Sequence, residues 1–204
     1  MIERIVPFIH MIVGSMYSSK TKMLIFRCGQ TQYADLRTGG FKPIIDNRYS
    51  EKDIATHEKE TLDAEPVEDS SQLEVMARDL EVVGIDEIQF FDSGIVDVCD
   101  RLRFQGKIVY AAGLDMDYRR RPFMFRDGER NIGDLLAIAD NVEKMVARCR
   151  ARERGQICGA GARYTMRLVD SKELIDVGSE GKYIATCLRH HKIPTSNIAK
   201  ADFS

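Results

Sequence analysis

Residues 5–13 are apolar except for Pro7 and His10, the pattern of a strand covered on both faces and not of one alternating between core and solvent. Residues 20–28 change period: Met23, Leu24 and Phe26 recur at near-helical spacing and predict a helix. A short apolar segment follows at residues 41–45, preceded by Ala-Asp-Leu-Arg-Thr-Gly-Gly (34–40), a poor strand by propensity. Residues 48–68 are polar and acidic with few large apolar side chains, which predicts a loop or lid. Helices are then predicted over 72–79, 95–104 and 132–139, and buried strands over 80–86 and 107–112. Residues 113–130, rich in glycine, arginine and aromatics, are too irregular for an element and lie where a site loop belongs, at a strand's carboxyl end. Apolar strands alternating with helical stretches give an α/β chain with a parallel sheet flanked by helices.

From Met145 onward the texture changes. Short β-like pieces at 164–169 and 183–186 are separated by glycines and bracketed by cysteine and histidine, so the reading divides the chain into residues 1–144 and a small unit at 145–204.

With 204 residues, 44% hydrophobic and 30% charged, the chain can bury a full core with room for a small appendage. A formal net charge of −2 supplies no global field for nucleic acid or an anionic membrane. Arg119, Arg120 and Arg121 form a cluster that could meet phosphates, whereas Arg148, Arg150, Arg152 and Arg154 read as a solvated face or loop. No apolar run reaches the roughly 20 residues of a spanning helix. The amino terminus lacks the regions of a signal peptide, so a soluble, cytoplasmic protein is expected. Five cysteines in such a chain suit metal ligation or free thiols better than disulfides; Cys28 and Cys99 fall in predicted helices as buried apolar residues.

The chemistry starts at residues 14–21: Gly14, Ser15, Met16, Tyr17, Ser18, Ser19, Lys20, Thr21. This is the phosphate-cradling pattern GxxxxGK[ST] with Ser19 in place of the second glycine, set between a buried strand and a helix. Backbone N–H groups in such a loop wrap phosphates, the lysine reaches the terminal phosphates, and the hydroxyl of Thr21 is suited to Mg²⁺. Serine at position 19 is costly if that residue needs glycine-like angles. At the end of the strand over 80–86, Asp86 is placed to support Mg²⁺. Glu87, pointing another way, is placed to act as a general base. The plain alternatives are an ordinary strand-turn-helix and a solvated strand end.

The stretch IDEIQFF (85–91), with GSMYSSKT (14–21), FKPIIDNRYS (41–50) and AGLDMDYRRRPF (112–123), resembles the thymidine kinases of the cellular, zinc-containing type, over residues 12–191. The resemblance implies a P-loop RecA-like parallel sheet flanked by helices, with a small zinc-binding C-terminal domain. It also implies transfer of the ATP γ-phosphate to the 5′-hydroxyl of thymidine in nucleotide salvage, with ATP, Mg²⁺ and Zn²⁺ as cofactors, in a homotetramer. Thymidine and ATP are then the partners, without nucleic acid or membrane. Carried over residue by residue, Glu87 is the catalytic base, and Asp86 and Gln89 complete the acidic signature on the ATP and Mg²⁺ side. Arg48 lies near substrate and phosphates. Met16, Phe90, Leu114, Tyr118, Phe123 and Tyr183 enclose the nucleoside, and Leu174, Ile175, Asp176, Val177 and Gly178 close over the base through main-chain hydrogen bonds.

The same resemblance implies zinc on Cys149, Cys158, Cys187 and His190. Cys187 and His190 form a CxxH pair, but eight residues separate Cys149 from Cys158 where the family has CxxC. Residues 150–155 are read as an insertion that loops out; otherwise His191 or water takes the fourth position, or the metal is absent. Two further readings stay open: a catalytically weakened nucleotide- or nucleoside-binding protein, motivated by Ser19, and a zinc-containing nucleic-acid-binding module, which the negative charge and IDEIQFF count against.

Overall fold

The apolar run at the amino terminus becomes β1 (Phe8–Gly14), flanked in parallel by β6 (Ile108–Gly113) on one side and β7 (Asn141–Met145) on the other. The computed structural model describes residues 6–44, 53–55, 61–168 and 182–193. Along the chain come α1 (Lys20–Tyr33), β2 (Thr38–Pro43), β3 (Asp53–Ala55), β4 (Thr61–Val67), α2 (Ser70–Met76), β5 (Val82–Ile85), α3 (Ile95–Phe104) and α4 (Ile132–Ile138). The main sheet has seven strands in the order β3-β4-β2-β5-β6-β1-β7, parallel except where β3 pairs antiparallel with β4.

Continuous apolarity in the strands follows from having helices on both faces. Ile9, Met11 and Val13 of β1 join Val83, Ile85, Val109 and Ala111 in one cluster with Leu73, Cys99, Leu102 and Leu135 of the helices. Ile12, between them, faces the other way and joins Leu24, Cys28, Val82 and Ala112. Fully burying one such leucine contributes about 1.5–3 kcal/mol. Cys28 and Cys99 are buried and free as expected, and burial pushes both thiols up to about 12.

Four features depart from the sequence reading. The supposedly poor strand region ends in β2, which lies inside the sheet between β4 and β5. Gly39 is used for packing: a Cβ there would stand 2.5 Å from Leu80 Cδ1, so Leu80 can lie against this backbone only because no side chain intervenes. The acidic stretch expected as a loop or lid contains β3 and β4, and Ala64 and Val67 are buried in the core. Pairing with β2 decides this segment, overriding composition. Helix α1 runs on through Gly29 to Tyr33, because Leu24, Cys28 and Thr31 keep one face buried beyond the predicted end. Finally, β7 was not foreseen; as an edge strand its side chains are mostly exposed, so it carries no continuous apolar signal.

Beyond the sheet lie short strands: β8 (Ala147–Arg148), β9 (Arg152–Glu153), β10 (Gln156–Ile157), β11 (Gly161–Ala162), β12 (Tyr164–Arg167) and β13 (Tyr183–Thr186). The two expected β pieces pair antiparallel, Tyr164 opposite Thr186 and Arg167 opposite Tyr183. They pack on a separate small cluster of Ala147, Cys149, Ala162 and Ala185.

Candidate functional site

Because β1, β5 and β6 run parallel in register, with Val13 beside Gly113 and Ile85 beside Ala111, their carboxyl ends deliver residues 14–21, 86–89 and 113–115 to one edge of the sheet. The loop leaving β1 turns at Gly14, whose φ is 150° and whose Cβ would stand 2.4 Å from the Met145 carbonyl oxygen. Only glycine fits against β7 there. Tyr17 (φ 63°) and Ser19 (φ 66°) are both left-handed. The left-handed angle at Ser19 is the physical reason glycine suits this position, and a serine there costs roughly 1–2 kcal/mol. The Ser18 hydroxyl donates to the Ser15 carbonyl at 2.8 Å, and Lys20 Nζ donates to the same carbonyl at 2.9 Å. Burial lowers the pKa of Lys20, while Glu87, Asp86 and Asp115 act to raise it.

At the start of α1, Thr21 Oγ1 donates to Asp86, 3.2 Å from Oδ2 and 3.4 Å from Oδ1. Asp86 is buried, and desolvation, reinforced by Glu87, pushes its carboxyl up to about 7; hydrogen bonds and Lys20 oppose the shift. Glu87 takes left-handed angles (φ 50°, ψ 39°), a strained conformation for a residue other than glycine, and leads into a short 3₁₀ turn, Ile88–Phe90. The Gln89 amide donates to Glu87 Oε2 and its carbonyl accepts from Leu114 N–H at 2.9 Å. Gln89 is fully buried, and a Cβ on Gly113 would meet its Oε1 at 2.4 Å. The Gln89 side chain therefore bridges Glu87 and the β6 backbone. Asp115, which sequence reasoning passed over, is buried beside this group and pairs with Lys144 of β7 at 3.3 Å. Its signal was its place just past β6, in AGLDMDYRRRPF.

Of the aromatic set, Phe90 and Phe123 meet edge to face at 5.6 Å. Leu114 packs against the core cluster that contains Phe123. Tyr118 is buried under two guanidinium groups, with Arg167 4.2 Å and Arg119 5.0 Å from its ring centroid. Arg167 also donates to the Tyr183 hydroxyl, from Nη2 at 2.6 Å and from Nε at 3.1 Å. A buried arginine thus joins Tyr118 to Tyr183, and sequence reasoning missed it. The available signal was cross-strand: Arg167 lies directly opposite Tyr183. Arg48 and Leu174, Ile175, Asp176, Val177 and Gly178 lie outside the described residues.

Three consecutive loop residues are fastened to the small unit. Ser15 Oγ donates to the Ala162 carbonyl at 3.3 Å, Met16 N–H donates to Thr165 Oγ1 at 3.0 Å, and Tyr17 Oη donates to the Tyr183 carbonyl at 3.3 Å. These contacts bring Met16 and Tyr183, chosen from distant motifs, to the same region.

The ligand atoms of Cys149, Cys158, Cys187 and His190 all lie within 4.8 Å of one another. His190 turns Nδ1 toward the sulfurs of Cys149 (3.5 Å) and Cys187 (3.3 Å). Three thiols and one imidazole nitrogen form a donor set fitted to tetrahedral Zn²⁺. The spacing difficulty is met by a β-hairpin: β9 and β10 pair across Arg154 (φ 48°) and Gly155 (φ 83°), the left-handed pair a two-residue hairpin turn favours. Cys158 N–H donates to Ala151 O at 2.9 Å and Gly159 N–H to Cys149 O at 3.1 Å, so the insertion loops out and returns both thiols to one place. His191, the alternative fourth ligand, is instead engaged through Nδ1 with Thr186 Oγ1 at 3.2 Å, its ring against Tyr164.

A family model described as thymidine kinase matches residues 7–191. A thymidine kinase of Rhodothermus sp. (strain ITI 518) is 39% identical over 189 residues, 93% of this chain and 83% of that one. Thymidine kinases of Bacteroides fragilis (38% identical; 88% and 84% covered) and Porphyromonas gingivalis (40% identical; 88% and 82% covered) match over 179 residues. Among solved structures, the ATPase DotB of Legionella pneumophila aligns at a TM-score of 0.41 and 16% identity, over 70% of this chain and 42% of that one, too slight a likeness to argue from.

Proposed function

Since this chain belongs to the thymidine kinase family, we propose that it transfers the γ-phosphate of ATP to the 5′-hydroxyl of thymidine, giving dTMP and ADP. The observation that carries the assignment of roles is the convergence of Thr21, Asp86 and Glu87, with Gln89 behind them, at the mouth of the phosphate loop. Lys20 and the N–H groups of residues 14–21 bind the ATP phosphates, with Lys20 exchanging its bond to the Ser15 carbonyl for phosphate oxygen. Thr21 and Asp86 are the residues that would hold Mg²⁺, which supplies charge neutralisation on the phosphates when bound. Glu87 accepts the proton of the 5′-hydroxyl as its oxygen forms a bond to the γ-phosphorus and the bond to the ADP oxygen breaks. Gln89 aims the Glu87 carboxylate.

Phe90 and Phe123 supply apolar walls suited to a planar base, with Met16, Leu114, Tyr118 and Tyr183 completing the enclosure. Arg48 and residues 174–178 take the roles the family resemblance gives them, near the phosphates and over the base. Cys149, Cys158, Cys187 and His190 would hold zinc, fixing the strands that anchor the loop. The same reading places a catalytic unit at residues 1–144 and a zinc and substrate-closing unit at 145–204, in a cytoplasmic homotetramer that needs neither nucleic acid nor membrane. Among the described residues no helix is long and apolar enough to cross a membrane. Ser19 already adopts the angles a glycine would, so the weakened-binder reading has no geometric support.

The test is phosphate transfer to thymidine with MgATP, comparing the native chain with Glu87→Gln. Loss of about 10²–10⁴-fold in turnover is expected; unchanged turnover would remove Glu87 from the mechanism, and transfer to no nucleoside would remove the assignment.

A further inference from the structure

The hairpin between Cys149 and Cys158 does more than return two thiols to one place. Glu153, on β9, sets Oε1 2.8 Å from His190 Nε2, while Nδ1 of the same ring faces the cysteine sulfurs. A neutral imidazole has one N–H and one lone pair. With the hydrogen on Nε2 donated to the Glu153 carboxylate, the lone pair is left on Nδ1, the atom that faces the thiols. Glu153 is itself held on both sides: its backbone is paired with Gln156 across the hairpin, and its Oε2 lies 3.1 Å from Arg189 Nη2, one residue before His190. An exposed acid-arginine pair alone contributes little. What sets this one apart is the second bond, to a ring whose opposite nitrogen is committed to the ligand cluster.

We propose that Glu153 is a positioning residue of the Cys₃His centre: a carboxylate supplied by the hairpin that fixes the His190 tautomer and ring orientation and thereby strengthens zinc binding. The segment that lengthens the spacing between Cys149 and Cys158 thus carries its own contribution to the metal centre. The inference rests on the zinc reading above, and its test separates the two.

Full-length native protein, Glu153→Ala and Glu153→Gln are loaded with zinc and titrated with a chromophoric zinc chelator, with His190 ring nitrogens followed by ¹⁵N NMR. Glu153→Ala is expected to bind zinc at least about tenfold more weakly. Glu153→Gln, which keeps a neutral acceptor oxygen, should fall between it and the native chain, and His190 should lose its Nε2–H···carboxylate signature in Glu153→Ala. Native protein that retains one zinc while both variants bind it equally tightly overturns the role of Glu153 and leaves the zinc reading standing. Native protein that binds no zinc overturns both. Weaker binding with an unchanged His190 spectrum also overturns the proposal, since the loss would then come from elsewhere on the hairpin.

Discussion

Thr165 accepts a hydrogen bond from the backbone N–H of Met16 at 3.0 Å, tying the centre of the phosphate loop to a strand residue 149 positions later in the chain. Thr165 is buried, so the bond is poorly replaced by water. Thr165→Val removes the acceptor, leaves the N–H unpaired at a cost of about 1–3 kcal/mol, and should lower kcat/KM about tenfold or more, chiefly through KM for ATP. Thr165→Ser, which keeps the oxygen, should restore most of it. Steady-state kinetics of the two variants decides the matter; equal behaviour would show that the bond does not position the loop.

The same anchoring predicts a cost of metal removal. Ala162, Thr165 and Tyr183, which hold Ser15, Met16 and Tyr17, belong to the strands packed around Cys149 and Cys187. Stripping zinc with a chelator should raise KM for ATP and speed hydrogen exchange at the amide of Met16, with both effects reversed on adding zinc back. Unaltered exchange after verified zinc loss would separate the centre from the loop.

Asp86 gives a signed pH dependence. Its folded pKa of about 7 lies above its ordinary carboxylate value of 3.8, so between those values the folded state holds a proton the unfolded state has released. Its contribution to the stability of the ligand-free fold is full below pH 3.8, declines as pH rises toward about 7, and is constant above. Mg²⁺ favours the ionised carboxylate, so the affinity for MgATP should increase as pH rises through about 7. Asp86→Asn should flatten both profiles, measured by thermal unfolding and by calorimetric binding; a native profile no steeper than that of the variant would reject the assignment.

Gly113→Ala tests the aim of Glu87. The added methyl would stand 2.4 Å from Gln89 Oε1 and push the amide off both Glu87 and Leu114 N–H. We expect kcat to fall at least about tenfold while KM for ATP stays within about twofold, the pattern of a lost transition-state interaction. A proportional rise in ATP KM would mean that Gln89 serves the nucleotide instead.

At Ser19 the expectation is asymmetric. Ser19→Gly relieves the left-handed strain but loosens the unfolded chain, two effects of about 1 kcal/mol that largely cancel. Ser19→Val adds a branched side chain to a left-handed residue and should cost about 2 kcal/mol or more in thermal stability, with weaker ATP binding. Equal melting of the serine and valine forms would show that the loop relaxes out of the left-handed region.

Much of the parallel sheet was legible because a strand buried on both faces is apolar nearly throughout, as residues 8–14 are but for His10 and as residues 82–85 are. Strand β2 and strand β4 were not, because their fitness lies in partners: Gly39 is useful only against Leu80, and the acidic β4 only beside β2. At the site, Lys20, Thr21, Asp86 and Glu87 were legible from fixed local spacing. Arg167 and Asp115 were not, since each acts through residues brought to it across strands, Tyr118 and Tyr183 for one and Lys144 for the other.

By itself the sequence determined which local segments could carry chemistry: a phosphate loop ahead of a helix, two acids at a strand end, and three cysteines with a histidine. Such features depend on a few neighbouring residues and on backbone geometry that repeats from protein to protein. Only the tertiary structure decided that Cys149 and Cys158 meet despite eight intervening residues, that Glu153 faces His190, and that Thr165 holds Met16. Those relations depend on how a hairpin folds back and how strands far apart in the chain come into register, and a side chain's partner across such a distance is fixed by packing, not by its position in the chain.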